Sequence, residues 1–235
     1  MKKYRLQAIV MVLVAFMLGC NEFIVVGILS DLAKQFNVPL ATVGYLVTIF
    51  ATVYAISTPV ITIYTSRFNR YKTLLALMLV FLIGNTFTGF ATNYVMLIIS
   101  RIITAVVAGS IISLIMTFAS TIAPREKRAG LVSWIFAGFS IASVFGVPLG
   151  TAISTSYGWR YTFFIISVIS IITFFLLVWL LPKKGRSSAG VNWKTINLVE
   201  GSANLFGHRV SFIHCCNNVL ILYLYPSFTD NRTWL

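Results

Sequence analysis

Residues 95–120 read VMLIISRIITAVVAGSIISLIMTFAS and carry one charge, Arg101, in twenty-six positions. As a helix rising 1.5 Å per residue the run is about 39 Å long. The hydrocarbon core of a bilayer is roughly 30 Å thick. Hydrocarbon offers no water to unpaired backbone amides, so the run is expected to be helical. Five more apolar runs flank it, near 7–30, 41–64, 73–92, 129–154 and 161–181. Each is long enough for a tilted span. The expected fold class is all-α: an integral membrane domain of six transmembrane helices over residues 1–182.

Composition agrees. The 235 residues are 58% hydrophobic and 10% charged, where a soluble domain carries about 25% charge. That excludes an ordinary globular enzyme or a disordered chain. The net charge of +13 is read as topological rather than as a nucleic-acid surface, because the basic residues fall between the apolar runs. Alternate joints hold Lys2, Lys3 and Arg5; then Arg67, Arg70 and Lys72; then Arg125, Lys127 and Arg128; then Lys183, Lys184 and Arg186. The opposite joints hold only Lys34, no basic residue, and Arg160. Basic loops stay cytoplasmic, so both termini are expected inside a plasma membrane crossed six times. Cys20, Cys215 and Cys216 have neither disulfide nor metal-ligand spacing, and no metal or cofactor is expected. No cleavable signal peptide is evident.

Residues 183–235 differ in kind. They hold both histidines and six of the eleven asparagines, and the apolar stretch Val219–Tyr225 is too short to span. A cytoplasmic linker and tail is expected, its atypical composition pointing to truncation or a change of reading frame.

Two charges interrupt the spans: Glu22, within Gly19-Cys20-Asn21-Glu22-Phe23, and Arg101. A charge at mid-bilayer costs about 2.5–3.5 kcal/mol on insertion scales, and such residues face a bundle interior or a wet cavity. Opposite orientations of spans one and four put both roughly 10–12 Å below the outer surface. At one depth they can pair, directly or through water. A carboxyl group poised between an ion pair and apolar surroundings can take up and release a proton, which suits a proton-coupled carrier. The plain structural alternative is a fixed pair that packs spans one and four. In span five, Gly138, Ala142, Gly146 and Gly150 recur at helical spacing and make a smooth face for another helix, and Pro148 bends the helix.

These motifs, in this order, resemble the N-terminal half of a major facilitator superfamily transporter of the drug:proton antiporter type. The pattern is similar to bacterial sugar, chloramphenicol and purine efflux permeases. The resemblance covers residues 1–182. It is carried by Asn21-Glu22-Phe23 with Gly27-Ile28-Leu29, Asp31-Leu32-Ala33 and Gly44-Tyr45-Leu46; by Ser66-Arg67-Phe68-Asn69-Arg70-Tyr71-Lys72; by Arg101 with Gly109; and by Gly138 with Gly146-Val147-Pro148-Leu149-Gly150 and Gly158-Trp159-Arg160. Thr62, Ser66 and Asn69 depart from the family's loop between helices two and three, where two glycines and an aspartate are usual.

The resemblance implies a 3+3 inverted repeat and a second six-helix half, with solute held between halves. It implies proton-coupled antiport of a small organic solute by alternating access, within the lipid bilayer. Glu22 is then a proton- or cation-binding carboxylate, Arg101 its partner and Asp31 a secondary candidate. Gly138, Gly146, Pro148 and Gly150 form a conformational motif. Arg67, Arg70 and Lys72 form a cytoplasmic gate loop. A homodimer, or a fragment or partner subunit without transport of its own, is the alternative. An intramembrane enzyme is disfavoured, because Ser140 has no histidine within the spans to serve as its base.

Overall fold

The computed structural model describes residues 2–181, and side chains from Tyr4 onward. The tail expected over 183–235 lies outside the described residues. Seven helices follow in order: α1 (Lys2–Gly27), α2 (Leu29–Phe36), α3 (Leu40–Thr65), α4 (Arg70–Gly89), α5 (Tyr94–Ile122), α6 (Arg128–Tyr157) and α7 (Trp159–Leu180), with a 3₁₀ turn at Arg125–Lys127. All but α2 are long and apolar enough to cross a membrane, which makes six spans. No strand occurs among the described residues.

The joints are where the sequence supplies breakers and caps. Asn37 takes a left-handed conformation (φ 52°) at the end of α2, and Pro39 opens α3. The Asn69 side chain accepts a hydrogen bond from the Tyr71 amide at 3.0 Å, capping α4. Gly158 (φ 95°) turns α6 into α7 in a conformation an L side chain rarely adopts.

The most extensive pairings of spans are symmetric. Span one (α1) packs on span five (α6), and span two (α3) on span four (α5). Span three (α4) packs on spans four and six, and span six (α7) on span one. Exchanging the first three spans for the last three, in order, maps this set of pairs onto itself. That is the internal two-fold relation expected of a 3+3 repeat.

Helices α1 and α5 are the most enclosed, and α3 and α6 the least. Tyr45, Ile56 and Val60 on α3, and Trp134, Val144 and Phe145 on α6, are all more than half exposed. The end of α7 is tied at two carbonyls that the helix itself leaves open. Gln7 Nε2 donates to Leu180 O at 2.7 Å, and Tyr71 Oη to Val178 O at 3.1 Å.

Candidate functional site

Arg101 is 1% exposed, the largest side chain buried to that degree. Its Nη1 donates to Asn21 O at 3.1 Å and to Asn21 Oδ1 at 3.3 Å. Its guanidinium carbon lies 4.3 Å from the centre of the Phe50 ring. α5 therefore reaches α1 through hydrogen bonds and α3 through a cation–π contact. The second is worth about 2 kcal/mol when desolvated. Arg101 Nε and Asn21 Nδ2 are buried without a hydrogen-bond partner.

Glu22 is the next residue on α1 and is half-buried. It interacts electrostatically with Arg101. No ion pair within 4.0 Å joins the two, because the guanidinium's hydrogen bonds go to Asn21. Counted from the helix ends at Gly27 and Tyr94, Glu22 and Arg101 lie about 8 Å and about 11 Å along their helices from those ends.

Toward the Tyr94 end of α5, buried polar groups of α4 and α5 lie beside them. Thr88 Oγ1 donates to Ser100 Oγ at 3.0 Å. Asn85, 0% exposed, has neither amide atom paired. A groove of about 620 Å³ opens at the other end of α1, lined by Tyr4, Arg5, Glu126, Lys127 and Trp134; it includes neither Glu22 nor Arg101.

α1 stops at Gly27, and Asp31 sits on the short α2, where its carboxylate accepts a hydrogen bond from Ser154 of α6. One turn earlier on α6, Thr151 Oγ1 donates to Gly27 O at 3.0 Å. Both contacts join the C-terminal end of α6 to α2 and the C-terminal end of α1.

The small face of α6 lies against α1. A Cβ built on Gly138 would come 3.0 Å from Val12 O, and one on Gly150 would come 2.8 Å from Ile24 O. One on Gly146 would meet Phe23 Cβ at 3.2 Å. From the α1 side, one on Gly19 would meet Phe139 O at 3.1 Å, and one on Gly27 would strike the Val147 carbonyl. Five glycines thus let two parallel backbones touch. Pro148 lies inside α6, exposed on the side away from this seam. At the far end of the bundle, Arg67 and Lys72 are exposed and Arg70 is half-buried, flanking the Asn69 cap.

Asn21, Phe50, Thr151 and Ser154 are the contacts that sequence reasoning missed. Asn21 offered one signal, a second polar residue beside Glu22 in an apolar run. Phe50 offered none, because an aromatic in a lipid-facing helix is unremarkable by default.

Six spans, a symmetric pairing of helices and a buried guanidinium beside a half-buried carboxylate define a polytopic membrane protein with charge at membrane depth. The Major Facilitator Superfamily sequence model matches residues 11–232, and the chain belongs to that family. It is 37% identical over 172 residues to the uncharacterized MFS-type transporter YtbD of Bacillus subtilis (strain 168). The match covers 73% of this chain and 43% of the relative.

Two solved structures share the fold. One is a bacterial homolog to the human lysosomal transporter Spinster, inward-facing and unoccupied. Its TM-score is 0.69 at 15% identity, over 85% of this chain and 49% of that one. The other is the proton:xylose symporter XylE bound to 6-bromo-6-deoxy-D-glucose. Its TM-score is 0.66 at 18% identity, over 75% and 44%. The chain spans about half the length of the relatives it matches, so it corresponds to one transporter half.

Proposed function

We propose that the chain is the N-terminal half of a plasma-membrane efflux carrier that exchanges protons for a small organic solute by alternating access. Both termini are cytoplasmic, and residues 183–235 are a cytoplasmic linker and tail. Glu22 is the proton-binding group and Arg101 its electrostatic partner, with Asp31 secondary. Gly138, Gly146, Pro148 and Gly150 let α6 shift along α1. Arg67, Arg70 and Lys72 close the cytoplasmic side. A second six-helix half covers the apolar faces of α3 and α6, supplied by another segment or by a second copy.

The observation that carries this reading is the partly exposed carboxylate of Glu22 next to the buried charge of Arg101. A fixed structural pair would bury both groups in direct contact, because isolated charges are costly in hydrocarbon. Here the acid is the more accessible member and remains free to exchange a proton.

The test is reconstitution in liposomes with a pH-sensitive dye inside and a panel of small organic solutes outside. The chain is tried alone and with the C-terminal half of the Bacillus subtilis relative supplied in trans. Solute-triggered proton movement is expected for the pair of halves and is lost in Glu22→Gln. Equal flux in Glu22→Gln would overturn the reading. The fragment reading rests on the 43% coverage of the relative; it predicts no flux in either arrangement.

A further inference from the structure

We infer that Asn21 and Phe50 are positioning residues that hold the Arg101 guanidinium off the Glu22 carboxylate, leaving the acid free to titrate beside a charge that is never cancelled. The inference rests on the reading of Glu22 as the proton-binding group.

Both acceptors that Arg101 finds on α1 belong to Asn21 and are neutral: the main-chain carbonyl and Oδ1, at 3.1 and 3.3 Å. The remaining contact, the Phe50 ring at 4.3 Å, is also neutral. Carbonyl dipoles and a π face solvate a guanidinium without neutralising it. A carboxylate in the same place would form a bidentate pair and fix both charges.

The separation is enforced by helix geometry. Consecutive residues lie about 100° apart around an α-helix, so the turn of α1 that points Asn21 at Arg101 points Glu22 to one side. The choice of asparagine has a cost, since Asn21 Nδ2 is buried with no partner. Alanine or leucine would pack there without that cost, so the residue is explained by what Oδ1 holds.

Few other groups act on Glu22. α3, α6 and α7 bring no Asp, Glu, Lys, Arg or His between residues 40–65, 129–156 and 161–180. α5 brings Arg101 alone, and the basic residues of α4, Arg70 and Lys72, lie at its opposite end. The neighbouring weak acids are Cys20 on α1 and Tyr54, which stacks on Phe50 at 6.2 Å.

The test needs no solute. The chain in liposomes is treated with dicyclohexylcarbodiimide, which modifies protonated carboxyl groups in apolar surroundings. The Glu22 adduct is measured by mass spectrometry across pH from about 5 to about 10. In Asn21→Ala the guanidinium turns onto Glu22 and holds it ionised, so the labelling midpoint falls by about one pH unit. In Asn21→Asp the new carboxylate takes the guanidinium and repels Glu22, so the midpoint rises by about one unit. Phe50→Leu follows Asn21→Ala, while Phe50→Tyr, which keeps the ring, follows the unmodified chain.

Opposite shifts at one position are not what loosened packing produces. Midpoints unchanged, or moved in one direction by both Asn21 variants, overturn the positioning role while leaving Glu22 as the titrating acid. Labelling that does not vary with pH in the unmodified chain overturns both readings. If the Asn21 variants fail to insert, the Phe50 pair decides by the same criterion.

Discussion

Adding one methyl group to Gly150 tests whether the α1–α6 seam is a true backbone contact. A Cβ there would sit 2.8 Å from both Ile24 O and Ile24 Cγ1, and 3.4 Å from Ile24 Cα. An ordinary carbon–oxygen contact of this kind is about 3.3 Å, so α6 must retreat by about 0.5 Å. A gap of that size forfeits roughly a quarter of the dispersion energy of each contact along the seam. Overpacking a close contact costs about 1–3 kcal/mol, and exchanging glycine for alanine inside a helix returns about 1 kcal/mol. The net loss is about 1 kcal/mol or somewhat more, which opens the seam roughly tenfold more often. Cys20 reports on that opening, since it is 7% exposed and its Cα lies 3.6 Å from the Cβ position of Gly146. With Cys215 and Cys216 replaced by serine, Gly150→Ala should raise the alkylation rate of Cys20 about tenfold. Gly130→Ala is the control: no atom lies within 4 Å of its Cβ position, and the rate should not rise. A rate in Gly150→Ala within twofold of the parent would refute the close backbone approach.

Other perturbations have equally definite outcomes. Gln7→Ala removes the donor on the Leu180 carbonyl and leaves a buried acceptor open, costing about 1–3 kcal/mol, read as a lower melting temperature in detergent. Tyr71→Phe removes the hydroxyl on Val178 O and costs about 0.5–1.5 kcal/mol; the two losses should add, because the donors serve different carbonyls. Ser154→Ala and Asp31→Asn each weaken the tie between α2 and α6, and spin labels on α2 and the C-terminal end of α6 should show a broader distance distribution in both. Arg101→Lys keeps the charge but loses the planar fork that spans Asn21 and Phe50, so it should melt several degrees lower and resemble Arg101→Ala more than the parent.

The six spans were legible because one requirement, a long run without unpaired polar backbone, acts on every residue of a span. The second helix was not. Span one is expected to end near residue 30, with Asp31 and Lys34 in the joint that follows, and no separate helix is read there. What ends α1 is local, a break at Gly27–Ile28, and it moves Asp31 onto a separate short helix. The glycine face of α6 was visible as spacing, but spacing does not name a partner. That α1 fills it follows from Gly19 and Gly27, whose matching role needs the register of two distant helices. The depth of Glu22 and Arg101 could be counted from the helix ends. Which residue Arg101 touches is a matter of azimuth, and one step along α1 exchanges an acid for an amide.

The same helix links the glycine seam to the charged pair. Gly19 and Gly27 of α1 meet α6, while Asn21 of α1 meets α5. Along its glycines the α6 side of this arrangement is smooth, and a slide there is opposed by dispersion and weak C–H···O contacts, each about 0.5–1 kcal/mol; past Gly150 it is fastened by the Thr151 and Ser154 hydrogen bonds to Gly27 O and Asp31. The α5 side is keyed: moving Asn21 breaks two hydrogen bonds to a buried guanidinium, each worth about 1.5–3 kcal/mol. A displacement imposed on α6 before Gly150 is therefore taken up first between α1 and α6. It meets α5 only when the seam is exhausted. Glu22 sits between the two contacts, one residue after Asn21 and one before the Phe23 ring, which packs edge-on against Phe139 of α6 at 5.9 Å. A shift of α6 thus changes what surrounds the carboxylate before it disturbs the guanidinium. Under the proposed reading of Glu22, that order lets the acid change exposure while the charge of Arg101 stays in place.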